Sequence, residues 1–171
     1  MNYYDEIKKE LINNEITKRV NDYSKNKSDL NTYYNVGKML SEAGKHYGEG
    51  IIKEYSKKLT HELGKGYGIT NLKRFRQFYI LIEKGATLSH QLMWSHYSEL
   101  IPLFDIDVIN YYILIVQSYN LSVRQLREKV RNNEYERSDE KTKLKLIEQK
   151  RTSVYVFVKN PILIKNSCNY K

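Results

Sequence analysis

Residues 51–82, IIKEYSKKLTHELGKGYGITNLKRFRQFYILI, read as a helix, a glycine-rich turn and a second helix. Ile51, Ile52, Tyr55, Leu59 and Leu63 recur at helical spacing, which predicts a helix over 49–63. Gly64, Gly66 and Gly68 then let the chain turn sharply. The next helix is expected from Thr70, whose hydroxyl is the predicted N-cap. Its inward face is Leu72, Phe75, Tyr79 and Ile82, with Phe78 alongside. Lys73, Arg76, Gln77 and Ile80 take the opposite side, and Arg74 flanks it. Residues 65–76 hold four cations and no acid, whereas a solvated face usually mixes signs. GKGYG is not a phosphate loop of the GxxxxGK[ST] kind, because that loop follows a strand and the segment here follows a helix. Gly85 is placed to close the second helix.

Toward the N-terminus, Ile7, Leu11, Ile16, Val20 and Tyr23 predict an amphipathic helix over 3–24. Ser28 or Asp29 is the predicted cap of the next helix, whose stripe is Leu30, Tyr33, Gly37 and Leu40. Gly37 in that stripe suits a close helix crossing, and Gly44 is placed to end the helix in a left-handed conformation.

Toward the C-terminus, TLSHQLMWSHYSELIPLF (87–104) holds the only tryptophan, Trp94, between His90 and His96. Six-residue spacing does not put both imidazoles on one helix face, and no cysteine or carboxylate partner lies close by. Both histidines therefore read as packing residues. Ser95 is read as the cap of a short helix that Pro102 follows. Asp105 or Asp107 starts another helix through Tyr119, and the apolar run Tyr111–Val116 reads as buried. Ser122 and Gln125 then form a capping box. The helix behind it buries Val123, Leu126 and Val130 and shows Arg124, Arg127 and Arg131 outward, a second basic stripe. Residues 134–150 are charge-dense, an exposed helix or linker, and SVYVFV (153–158) is strand-like up to Pro161.

The chain has 171 residues, enough for one domain with an appendage, and its 40% hydrophobic content excludes global disorder. Only Pro102 and Pro161 interrupt it. The expected fold is therefore mainly α, a helical bundle around a helix-turn-helix core with a short strand-like tail. A net charge of +9 draws the protein to polyanions, nucleic acid or an acidic membrane surface, although a biased genome rich in Lys, Asn, Tyr and Ile codons gives a similar total. Cys168 stands alone, so neither a disulfide framework nor a CxxC knuckle is available, and a reducing, cytoplasmic setting fits. No signal-peptide core and no run of membrane-spanning length is present in the sequence. No nucleophile–base pair, carboxylate dyad or metal cluster stands out, so no enzyme activity, cofactor or metal is expected.

In order, YYNVGKMLSE (33–42), residues 51–79, TLSHQLMWSHYSELI (87–101) and YYILIVQSYNLSVRQLREKV (111–130) carry a family pattern. Val36–Gly37 ends a tyrosine-rich segment; Tyr55, Ser56 and Leu59 stand where "LS-x-x-L" is usual, with Tyr replacing Leu. Asn71, Leu72, Arg76 and Phe78 fit "NL-x-x-x-R-x-F". Met93 to Tyr97 fit "LSW-x-HY" with Met for Ser, and Leu121, Ser122, Arg124 and Leu126 fit the next helix. Over about residues 5–137 the chain resembles the N-terminal domain of the YhcG-like bacterial proteins. The resemblance implies a winged-helix-like DNA-binding module that precedes a PD-(D/E)XK nuclease domain. It divides the chain into a helical domain at 1–137, a charged helix or linker at 138–152, and the start of a nuclease domain at 153–171. Glu148-Gln149-Lys150 matches ExK only in letters, since no apolar strand flanks it, so the chain reads as non-catalytic.

Lys65, Lys73, Arg74 and Arg76 are the expected phosphate contacts, and Thr70 and Asn71 reach a phosphate or a base edge. Arg76 reads equally as a bridge to another helix. Arg124 and Arg127, with Arg131, read first as a solvated face and second as a further phosphate surface. DNA is the expected partner. The alternative is a protein-interaction or oligomerisation module, a homo-oligomer joined through tyrosine-rich or C-terminal apolar surface.

Overall fold

The computed structural model describes residues 3–20, 25–141 and 143, and it is helical throughout its regular elements. The elements are α1 (Tyr3–Val20), α2 (Lys25–Tyr47), α3 (Gly50–Leu63), α4 (Ile69–Glu83), α5 (Trp94–Leu100), α6 (Ile106–Tyr119), α7 (Val123–Arg131) and α8 (Glu134–Arg137). Short 3-10 turns at Lys65–Tyr67 and Ile101–Leu103 precede α4 and α6. The mainly α expectation holds. No strand occurs among the described residues, so none of them forms a wing; the strand-like tail and Glu148–Lys150 lie outside the described residues.

α4 is the central strut. Its inward residues step by three, Leu72, Phe75, Phe78 and Leu81, and they serve two apolar clusters. Leu72 and Phe75 join Ile7, Leu11, Val36, Leu40, Ile52 and Leu59 from α1, α2 and α3. Phe78 and Leu81 join Leu92, Tyr97, Leu100, Ile109 and Leu126 on the C-terminal side. Phe78 and Leu81 thus take the inward places read for Tyr79 and Ile82, which are only half-buried. Tyr33 and Trp94 pack against both clusters. Tyr33 stacks on Phe75 with centroids 4.3 Å apart, and Trp94 lies 5.3 Å from Phe75 and 5.5 Å from Phe78.

Gly37 permits the α2–α4 crossing. A Cβ there would stand 2.1 Å from the Phe75 carbonyl oxygen, so only glycine lets the two backbones approach this closely.

Several helix ends differ from the sequence reading. α4 begins at Ile69, with the extended Gly68 as N-cap and no capping side chain, so Thr70 lies inside the first turn. α2 begins at Lys25, which puts Ser28 and Asp29 within it; Asp29 Oδ1 instead accepts from Asn14 Nδ2 of α1 at 2.7 Å. α2 also runs through Gly44 to Tyr47, and Gly48, at φ +80°, makes the left-handed exit. α1 reaches Val20, residues 21–24 lying outside the described ones, and Ile16 is 55% exposed rather than inward. Met93, not Ser95, precedes α5.

Other ends follow the sequence reading. Gly85 closes α4 at φ +106°. Asp105 caps α6 by accepting from the Asp107 and Val108 amides, and Ser122 with Gln125 completes the box at α7. The 111–116 run is buried throughout.

The link from α4 to α5 is held by buried polar groups, as unsatisfied ones would destabilise it. Tyr97 Oη accepts from the Ser89 amide at 2.7 Å and donates to the Thr87 carbonyl at 3.0 Å. Burial pushes its phenol up to about 12, against the opposing hydrogen bond from the Ser89 backbone. His96 Nδ1 accepts from the Met93 amide at 3.0 Å, so Nε2 carries the proton toward the Leu121 carbonyl at 3.1 Å. His96 is therefore a buried tie between α5 and the start of α7, in keeping with the packing role read from sequence.

Candidate nucleic-acid interface

α4 turns one strip of its surface outward. Ile69, Thr70, Lys73 and Arg74 are exposed and Gln77 is partly exposed. At ~100° per residue, Thr70 and Gln77 run along the middle, with Lys73 on one flank and Arg74 on the other.

Each flank borders an arginine–carboxylate pair, Arg76–Glu49 beside Lys73 and Arg127–Glu99 beside Arg74. Beside Lys73, Arg76 Nη1 donates to Glu49 Oε2 at the start of α3. That hydrogen bond holds the Glu49 carboxyl below its usual range against some desolvation, and the charges of Arg76 and Lys73 add to it. Arg76 reaches there past Gly44, where an added Cβ would come within 3.7 Å of its Cζ, and its Nε is buried without a hydrogen-bond partner.

Beside Arg74, the Arg127 fork grips Glu99 of α5: Nε donates to Oε2 at 3.1 Å and Nη2 to Oε1 at 2.6 Å. The Arg127 hydrogen bonds lower the Glu99 pKa; desolvation opposes them, and the charges of Arg127 and Arg74 lower it further. Glu99 is paired with Arg127 of α7 and also feels the charge of Arg74 of α4, so the basic faces of α4 and α7 lie near one carboxylate, where the sequence reading had two separate stripes.

The other expected contacts divide. Lys65 is exposed on the turn before α4. Lys73, Arg74, Arg124 and Arg131 are exposed and have no ion-pair partner among the described residues. Asn71 is turned back, its Nδ2 donating to the Gly66 carbonyl at 2.8 Å, so it secures the glycine turn. Arg76 is the helix bridge that the sequence left open. Glu49 and Glu99 were not foreseen, because they stand 27 and 28 residues from their arginines and no local pattern connects them.

Elsewhere, a groove of about 540 Å³ lies between α1 and the end of α3, lined by Leu11, Ile12, Ile16, Leu63 and Tyr67 with Glu15 and Glu62 among them. Among the described residues no His, Cys, Asp and Glu group of three or more is arranged to hold a metal ion, and no helix is long and apolar enough to cross a membrane.

No curated protein and no solved structure matches the chain. Residues 7–137 match the DUF1016 N-terminal domain, a span running from within α1 to the end of α8 and covering both basic helices. That domain is the YhcG-like N-terminal domain named by the sequence motifs, and the chain belongs to this family.

Proposed function

We propose that this domain is a non-catalytic DNA-targeting module that works in the cytoplasm, of the kind the resemblance sets before a PD-(D/E)XK nuclease domain. It docks on duplex DNA through α4, the second helix of the helix-turn-helix α3–turn–α4, with the arginines of α7 reaching the same backbone. One observation carries the reading: Lys73 and Arg74 stand exposed side by side on α4 without an ion-pair partner among the described residues. A folded protein of net +9 that concentrates unpaired cations on one helix face favours a polyanion there.

Binding to duplex DNA measured against salt tests it. Each phosphate contact contributes about 0.9 to the slope of log affinity against log salt. The Lys73→Ala, Arg74→Ala double variant is expected to bind more weakly, with a slope shallower by up to about two. Absence of salt-sensitive binding by the native chain contradicts the proposal.

A second reading, a protein-interaction or oligomerisation module, draws on the α1–α3 groove, where Ile12 and Ile16 are 36% and 55% exposed. Concentration-dependent mass in sedimentation, abolished by Ile16→Asp and indifferent to DNA, would favour it over the first.

A further inference from the structure

The middle of the α4 strip differs in chemistry from its flanks. Thr70 and Gln77 carry no charge, and Gln77 makes no hydrogen bond to any described residue. The flanks hold the exposed cations Lys73 and Arg74, with the Arg76–Glu49 pair beyond Lys73 and the Arg127–Glu99 pair beyond Arg74. A helix with its side chains is about 10–12 Å across, and a major groove about 12 Å wide admits one helix.

In such a groove, cations on the two flanks meet the phosphate walls and the uncharged centre faces the base edges. We propose that Gln77, with Thr70, is a base-reading residue of this surface and that the ligand is B-form duplex DNA entered through its major groove. The inference rests on the DNA reading above and adds sequence preference to it.

The chemistry of the amide names the base. A Gln side chain donates and accepts through one planar group, and this matches the N7 acceptor and N6 donor of adenine. Thr70 offers a methyl group toward a thymine methyl and a hydroxyl that serves either sign. Asn71, the other amide near the start of α4, is occupied by the Gly66 carbonyl and is not available for this. Glu49 and Glu99 act as positioning residues. Arg127 uses one edge of its guanidinium on Glu99, and the Nη1 edge remains for a phosphate.

Selection from a random duplex pool by the native chain, the Gln77→Ala variant and the Gln77→Glu variant tests the assignment. The native chain is expected to enrich an adenine at one position. Gln77→Ala relaxes that preference by roughly 5- to 150-fold, the range for one bidentate contact, and leaves the salt slope unchanged. Gln77→Glu, which can only accept when ionised, moves the preference toward cytosine. Salt-sensitive binding without a motif, or with a motif that both variants preserve, overturns the base-reading role and leaves the phosphate-docking role standing. Loss of all salt-sensitive binding in the native chain overturns both.

Discussion

At the scale of single residues, Glu99 decides what Arg127 can do. A guanidinium has five N–H donors, and the pair with Glu99 uses the Nε and Nη2 edge. Arg127 is thereby held in one orientation and keeps a second edge exposed. Lysine conserves the charge but lacks the fork. Arg127→Lys is expected to weaken duplex binding without changing the salt slope, read from the same titrations. The pair has a pH signature too. Glu99 in the folded chain sits below its usual 4.5, so the stability it contributes is present above that value and is lost as pH falls through the lower folded midpoint. Following the Glu99 carboxyl by NMR should show a native midpoint under 4.5, moving up toward it in Arg127→Ala and by less in Arg74→Ala. A native midpoint at or above 4.5 would contradict the pairing.

At the scale of elements, the crossing of α2 and α4 governs where the outward strip of α4 lies. Gly37 is the contact point, and the Phe75 carbonyl occupies the space that any Cβ would need. Relief requires backbone movement, because the obstructing atom belongs to a helix and not to a flexible side-chain end. Gly37→Ala is therefore expected to destabilise by at least about 1–3 kcal/mol, despite the higher helix propensity of alanine. Chemical denaturation followed by far-ultraviolet circular dichroism measures this, and an unchanged or raised midpoint would refute the close crossing. A variant that still folds should also bind DNA less well, since α4 must shift relative to Glu49 and Glu99.

At the scale of the whole molecule, two apolar clusters share α4, and Tyr33 and Trp94 bridge them. Trp94 meets Tyr33, Phe75 and Phe78 at 4.8, 5.3 and 5.5 Å, so it couples the N-terminal helices to α5 and the C-terminal helices. Removing its ring leaves a gap where both clusters meet. Trp94→Ala is expected to lose about 3 kcal/mol or more. Its unfolding should become less cooperative, with a smaller denaturant dependence than that of the native chain. A variant with native midpoint and slope would show that the clusters are coupled elsewhere. The same element carries the acid of the basic surface: Arg127 of α7 pairs with Glu99 on α5, whose Trp94 packs against both clusters and whose His96 is tied to Leu121.

The helices, the glycine turn and the caps at Asp105 and Ser122 were legible in the sequence, because periodicity and capping are local and a side chain three or four residues away is a neighbour on any helix. The starts of α2 and α4 were misread for the same reason. Asp29 and Thr70 have good capping chemistry, but the contact of Asp29 with Asn14 and the extended backbone of Gly68 decided the ends instead. The exposure of Lys73 and Arg74 was legible as well, since Leu72 and Phe75 beside them were read as inward, although Tyr79 and Ile82 were read in the places that Phe78 and Leu81 take. What only the tertiary structure decided was the pairing of Arg76 with Glu49 and Arg127 with Glu99, and with it the placing of two basic helices near one carboxylate. Those contacts span 27 and 28 residues, and they arise from helix packing that no local pattern encodes.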